Sequence, residues 1–184
     1  MPLFETVTDL SAGADVLRRR AYGVIEYRDG VFRSVHLRPF PKFATLAQVF
    51  WGQWYHGHFG GDRCLLFYNQ PGRCESFLAL KYIVSGKGTS FASFRGALAV
   101  LDEIARLKRT DAIVCDAANL RISDRLLARF GWEPHLHSRW HRNFIKRFYG
   151  NYRIGDAIEI SSRAAGVAET LQICDSEFVA STRA

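Results

Sequence analysis

Residues 76–132 constrain the fold more than any other stretch of this 184-residue chain. Ser76 to Val84 reads as an apolar strand and Gly86-Lys87-Gly88 as a turn. Phe94, Ala97, Leu98, Leu101, Ile104 and Ala105 then recur at the three- and four-residue spacings of one helix face. Ala112 to Cys115 is a short apolar strand bounded by polar residues. Ile122, Leu126, Leu127 and Phe130 mark a second amphipathic helix that stops at Gly131, where a left-handed residue is wanted. A strand, a long helix and a second strand in that order make a crossover connection, so the two strands are expected to lie parallel, buried by helices. Ser93 is read as the N-cap of the long helix, with Lys108 and Arg109 complementing its C-terminal dipole.

The flanking segments read as strands and helices that complete a sheet. Tyr22 to Tyr27 and Val31 to Leu37 surround Asp29-Gly30, the strongest short hairpin signal, and Ala14 to Arg20 before them has helical composition. Residues 1 to 11 carry no usable period. Pro39 and Pro41 end the hairpin, after which Phe43, Leu46, Ala47, Phe50 and Trp54 predict a helix covering the sheet. Gly57 to Asp62 is a turn-rich loop. Cys64 to Tyr68 and Phe77 to Val84, on either side of Asn69-Gln70-Pro71-Gly72, are expected to be neighbouring antiparallel strands. After a break at Glu133-Pro134, Trp140, Phe144 and Phe148 alternate with Arg142 and Lys146, which predicts two more strands.

With 48% apolar and 14% aromatic residues, the chain has material for one core, assigned to residues 1–150. Residues 151–184 change character. They hold 3 Lys+Arg and 5 Asp+Glu, leaving a net charge of +9 on the preceding 150, and are expected to be an appendage, partly ordered at most. The overall charge of +7 favours anionic partners without choosing among nucleic acid, acidic membrane and phosphorylated small molecules. Cys64, Cys74, Cys115 and Cys174 are widely spaced, with no Cys-x-x-Cys pair and no signal-peptide pattern before them. Free thiols in a reducing, cytoplasmic setting are expected. The longest mostly apolar run, Phe43 to Trp51, is too short to span a bilayer, so no membrane partner is expected.

Over roughly residues 20–150, the order hairpin, helix, strands, long helix, strand, helix, strands resembles the GNAT superfamily of acyl-CoA-dependent N-acyltransferases. In sequence the resemblance rests on Leu126 to Trp132, Leu-Leu-Ala-Arg-Phe-Gly-Trp, which looks like that family's helix ending in Leu-Tyr-x-x-x-Gly-Phe. It implies an α/β (α+β) fold in a three-layer, GNAT-like arrangement: a mixed, mostly antiparallel sheet with a central parallel pair that splays, and flanking helices. It also implies transfer of an acyl group from acetyl-CoA or another acyl-CoA to an amine that the sequence does not name. In the family a Gln/Arg-x-x-Gly-x-Gly/Ala loop holds the CoA pyrophosphate at a helix N-terminus, where unpaired N–H groups and the dipole favour anions. Aligning Gly96 with the last glycine places Phe91 and Phe94 at the other two signature positions, so the loop departs from the pattern. Gly86-Lys87-Gly88 is the candidate substitute cradle, with Lys87 and Arg95 as phosphate partners and Ser93 at the helix start.

The resemblance further assigns oxyanion donors to the backbone N–H groups at Ile83 and Val84, and cofactor contact to Asn119, displaced by one residue from the expected asparagine. The family's general acid, a tyrosine, falls on Leu127, which has no proton to give. Ser123, one turn earlier, and Tyr149, from a following strand, are the candidate acids. Ordinary capping and core packing are the competing readings for these two. Glu75 and Asp116 are candidate bases, with solvated or capping carboxylates as the plainer alternative. Cys115 in the central strand is a candidate nucleophile or simply a small core residue.

Two other constellations bear on function. His135, His137 and His141 would share a strand face and His56 and His58 form another pair, but Arg139 falls between the first set and would repel a cation, and no metal is assigned. Residues 139–153 interleave Arg139, Arg142, Lys146, Arg147 and Arg153 with Trp140, Phe144, Phe148, Tyr149 and Tyr152. That pattern suits single-stranded nucleic acid, an edge strand with one buried face, or an acidic acyl carrier or CoA phosphate. The alternatives to acyl transfer are therefore a non-catalytic GNAT-like binding module and a single-stranded nucleic-acid binder.

Overall fold

The computed structural model describes residues 4–39, 61–85, 88–117, 122–137 and 142–152. Its elements are β1 (Glu5–Val7), α1 (Ala14–Arg19), β2 (Tyr22–Arg28), β3 (Val31–Arg38), β4 (Arg63–Asn69), β5 (Phe77–Ser85), α2 (Phe91–Lys108), β6 (Ala112–Asp116), α3 (Asp124–Arg129), β7 (Glu133–His137) and β8 (Arg142–Arg147). The strands form one sheet in the order β1-β3-β2-β4-β5-β6-β8-β7. All neighbours are antiparallel except β5 and β6, the pair joined by the α2 crossover. This mixed α/β architecture is consistent with a GNAT-like fold.

Asp29 and Gly30 both have positive φ, 54° and 72°, as a tight two-residue hairpin turn requires. The turn joins β2 to β3 with Arg28 opposite Val31. The three-residue β1, on residues that carry no period, adds to β3 with Thr6 opposite His36. β2 rather than β3 faces β4, and the rows Tyr27↔Cys64, Ile25↔Leu66 and Gly23↔Tyr68 run across the two strands. Cys64, Leu66 and Ile25 are fully buried and Tyr27 and Tyr68 nearly so. Alternation along each strand gathers these side chains on one face, the surface that α2 covers.

α2 buries Ala97, Leu98, Val100, Leu101, Ile104 and Ala105. Its start corrects the expected cap. Ser90, not Ser93, is the N-cap, its hydroxyl accepting the Ser93 N–H at 3.1 Å, while Ser93 lies inside the first turn. α2 ends on Arg109 in a left-handed conformation, whose N–H reaches Arg106 O. α1 packs on α2, with Arg18 Nε donating to Leu107 O and Lys108 Nζ to Arg18 O and Arg20 O. α3 is capped by Ser123 and stopped by Gly131 (φ 78°), with Trp132 N–H returning to Leu127 O at 3.1 Å. The Phe-Gly-Trp ending is thus a glycine helix stop followed by a buried indole.

The helix expected over Phe43 to Trp54 lies outside the described residues, and so does the appendage from residue 153 onward.

Candidate functional site

β5 and β6 pair in parallel only from Phe77↔Ala112 to Leu80↔Cys115. β5 then continues to Ser85 in partnership with β4, through Phe67↔Tyr82, Leu66↔Ile83 and Leu65↔Val84. The β4 register jumps between Phe67 and Tyr68, which makes Lys81 an extra residue in β5 at the point where the parallel pair parts. A bulge bends its strand and increases the local twist, so it separates β5 from β6 there. Over residues 81–85, alternate backbone N–H and C=O groups face the side where β6 pairing has ended. A strand edge without a partner among the described residues is of the kind that accepts an extended, amide-bearing ligand. Ile83 and Val84 lie on it.

At the mouth of this opening β6 ends in Cys115 and Asp116, and Arg142 begins β8 alongside them. Arg142 donates to Ile122 O at 2.7 Å, lies 3.4 Å from Asp124 Oδ1 and sits over the Phe144 ring. Burial pushes the Cys115 thiol up to about 12, with Asp116 adding to the effect and Arg142 opposing it. A thiol so held is a poor nucleophile at neutral pH. Arg142 was missed as a site residue because its aromatic and basic neighbours read as one alternating strand face. Only the β6–β8 pairing brings it beside the opening.

The helices that follow the two parting strands are joined by aromatic rings. Phe130, at the end of α3, lies 5.8 Å from Phe91 and 5.9 Å from Phe94, both in the first turn of α2. Two of the residues that depart from the expected phosphate loop therefore have a partner in α3.

The start of α2 is stitched to the segment that enters β4. The Ser90 N–H and hydroxyl donate to the two oxygens of Asp62 at 2.8 and 2.6 Å, and the Thr89 hydroxyl donates to Arg63 O. Ser93, fully buried, accepts the Gly30 N–H at 3.0 Å and directs its hydroxyl to Asp62. Burial raises the Asp62 pKa, but the hydrogen bonds from the Ser90 hydroxyl, the Ser90 N–H and Ser93 together outweigh it and hold the carboxyl below its usual value. A Cβ on Gly88 would lie 3.0 Å from Gly61 O, so the end of the glycine turn is in close contact with backbone.

The structure disperses the sequence-derived candidates. Gly96 packs against Tyr27, whose ring occupies the place of a Cβ, so its smallness serves helix-on-sheet contact. Arg95 is exposed on the second turn of α2, and Ser93 is enclosed in the Asp62 network. Ser123 is at the opening's end of the sheet, its oxygen accepting the Leu126 N–H at 3.2 Å. Tyr149 corrects the core-packing reading made of it. It is 75% exposed on a turn rather than packed in the core, and its N–H contacts Asp111 O before β6 begins. From there to Cys115 is about 13 Å along a strand, so Tyr149 belongs to the end of the sheet away from the opening. Glu75, whose carbonyl accepts from Gln70 before β5, is at that same far end. Lys87 and Asn119 lie outside the described residues, as do His56, His58, Arg139, Trp140 and His141.

Among the described residues no group of three His, Cys, Asp or Glu side chains is placed to hold a metal. No described helix is long and apolar enough to cross a membrane. Several described residues of the basic aromatic segment are engaged within the chain. Lys146 pairs with Asp102 at 2.5 Å, Arg147 pairs with Glu133, Phe144 and Phe148 are buried, and Tyr152 stacks on Phe148 while donating to Thr110 O.

A mixed sheet with one parallel pair that parts, a long crossover helix and a short helix after the second parallel strand define an α/β protein with a mostly antiparallel eight-stranded sheet. No family model matches the chain, and no curated protein matches it. Among solved structures, that of nourseothricin acetyltransferase is similar over 79% of this chain and 99% of that one, at 12% sequence identity and a TM-score of 0.33. At that level the likeness carries no activity or residue role across.

The parted β5 edge fits the amide arm of an acyl-CoA. The start of α2 already carries a negative charge, the Asp62 carboxylate that accepts the N–H and hydroxyl of Ser90.

Proposed function

We propose that this chain is an acyltransferase-like protein that moves an acyl group from a pantetheine thioester, of which acyl-CoA is the familiar form, to an amine. The observation that carries this reading is the parting of β5 from β6 after Leu80↔Cys115. Among the described residues no strand continues beside Ile83 and Val84, where an extended thioester arm would find backbone partners and its carbonyl oxygen an N–H. The amine nitrogen would attack the thioester carbon, forming C–N as C–S breaks, with the nitrogen's proton passing to a base and the sulfur leaving as thiolate. Asp116, at the end of β6, is the carboxylate nearest in sequence to the opening and the candidate base. The test is mass spectrometry of a panel of amines incubated with the protein and either acetyl-CoA or acetyl-pantetheine. Acylated product above the protein-free rate supports the reading, and none with either donor ends it.

A second reading, a non-catalytic module of the same architecture, draws on the Phe91–Phe130–Phe94 cluster and on the leucine at position 127. Turnover in the same experiment excludes it.

A further inference from the structure

We propose that Thr6, His36 and Ser34 form a second reactive centre, remote from the parted strands, in which the Ser34 hydroxyl attacks the acyl carbon of small activated carboxylic esters. This chemistry is independent of the acyl-thioester reading above.

Strand register assembles the centre. β1, β3 and β2 bring Thr6 opposite His36 and Ser34 opposite Glu26. Paired residues share a sheet face, and Glu26 alternates with Ile25 and Tyr27, so the group lies on the face away from α2. The row continues from Glu26 through Leu65 to Val84, which puts Ser34 three strands, about 14 Å, from the β5 edge. Ser34 is one of three buried polar residues among those described. The other two serve α2: Ser93 sits in the Asp62 network, and the Thr110 hydroxyl donates to Ala105 O at the helix end.

Three contacts give the group its chemistry. Ser34 Oγ lies 3.0 Å from His36 Nε2, the reach of a nucleophile to its base. Thr6 Oγ1 lies 3.1 Å from His36 Nδ1. With the ring proton on Nδ1 and donated to Thr6, Nε2 is left to accept the serine hydroxyl. Glu26 Oε2 stands 3.5 Å from Nε2, where a carboxylate stabilises the imidazolium that forms, while Arg63 Nε engages the other carboxylate oxygen at 2.9 Å. The His36 side chain is 47% exposed, so the imidazole edge of the group is open to a solvent-borne ester. Ser34 Oγ forms a bond to the ester carbonyl carbon as its proton passes to His36 Nε2. The ester C–O bond then breaks and the leaving oxygen departs with that proton. Water, its proton accepted by the same nitrogen, releases the acid and restores the hydroxyl.

Two measurements on the intact chain test the centre: labelling by a fluorophosphonate, located by peptide mass spectrometry, and hydrolysis of p-nitrophenyl acetate. The expected result is that wild type is labelled at Ser34 and hydrolyses the ester, and that Ser34→Ala and His36→Gln each lower the rate about 100-fold. Thr6 is a positioning residue. Thr6→Val should lower the rate about tenfold and shift the imidazole proton away from Nδ1 in nitrogen NMR, while Thr6→Ser keeps both rate and tautomer. No label on wild-type Ser34, no hydrolysis above the protein-free rate, or hydrolysis undiminished in Ser34→Ala, as a lone surface imidazole would give, each overturns the inference. The acyltransferase reading stands in every case, since it uses neither Ser34 nor His36. Wild-type labelling decides the matter even if a variant folds poorly.

Discussion

Gly96 of α2 lies so close to Tyr27 of β2 that a Cβ at position 96 would stand 2.6 Å from the ring's Cε1. Helix and sheet therefore approach at the one α2 position without a side chain, and the tyrosine ring fills the gap. A residue that sequence alignment assigns to phosphate binding is accounted for by packing.

Gly96→Ala tests that contact. Alanine gains about 1 kcal/mol in helix propensity, but forcing a methyl to within 2.3 Å of the ring's Cζ costs about 2–3 kcal/mol, so the expected net effect is destabilisation of about 1–2 kcal/mol. Urea unfolding of Gly96→Ala and of Gly96→Ala combined with Tyr27→Leu should show the second change rescuing the first. A neutral or stabilised Gly96→Ala would place the ring elsewhere.

The Ser90–Asp62 clamp should contribute to stability in a pH-dependent way. Ser90→Ala is expected to cost about 1–2 kcal/mol through loss of the cap and of the hydroxyl on the carboxylate. The folded pKa of Asp62 is below its unfolded value, so its contribution is present above pH 3.8 and is lost as pH falls through the lower, folded value. Acid titration followed by circular dichroism should find Asp62→Asn less stable than wild type at neutral pH, with the gap narrowing below pH 3.8. A gap that stays constant into acid would show that the carboxylate charge plays no part.

Lys108 links stability to pH on the alkaline side. Burial draws its ammonium down from 10.5 to about 8, although Nζ donates to Arg18 O, Arg20 O and Gln70 Oε1 at 3.1, 2.9 and 3.0 Å, which favours the charged form. The folded chain then binds fewer protons than the unfolded chain between about pH 8 and 10.5, so this group's contribution rises with pH across that window and is least below it. Cys64 and Cys115, raised by burial to about 12, act oppositely above pH 9, where only the unfolded thiols ionise. Urea midpoints should therefore rise between about pH 8 and 9 in wild type and stay level in Lys108→Met. Equal slopes in the two proteins would rule Lys108 out.

Thiol reactivity should separate the cysteines. Cys74 is exposed, Cys64 is buried and Cys115 is partly covered, with both of the latter raised to about 12. In a Cys174→Ser background, a disulfide reagent at neutral pH should modify Cys74 quickly and the other two only on unfolding. At equal exposure each unit of pKa above the ambient pH lowers the thiolate fraction about tenfold. Rapid labelling of native Cys115 would instead mark it as accessible and ionised.

The local elements were legible because their causes are local. Asp29-Gly30 can adopt the positive φ angles of a tight hairpin, so its two strands appear where alternating residues flank it. The spacing of Ala97, Leu98, Leu101 and Ile104 marks α2, and Gly131 marks the stop of α3. The crossover from Phe77 to Asp116 forced a parallel pair, which is what β5 and β6 form. Ser90 was passed over for Ser93 because both are capping residues and the helix start is decided by which hydroxyl reaches the other's N–H.

What tertiary structure alone decided concerns partners distant in the chain. β2, not β3, stands next to β4, a choice between two apolar strands that no local pattern distinguishes. Asp62 meets Ser90 across 28 residues, and Tyr27 meets Gly96 from another element altogether. Tyr149 and Arg142 both belong to one aromatic, basic run, yet strand direction sends the first to the closed end of the sheet and brings the second to the opening. Backbone geometry and side-chain period act over a few residues and are written in the sequence. Strand order, register and the neutralisation of a helix end arise from burial and charge shared between segments, and these exist only once the chain has closed on itself.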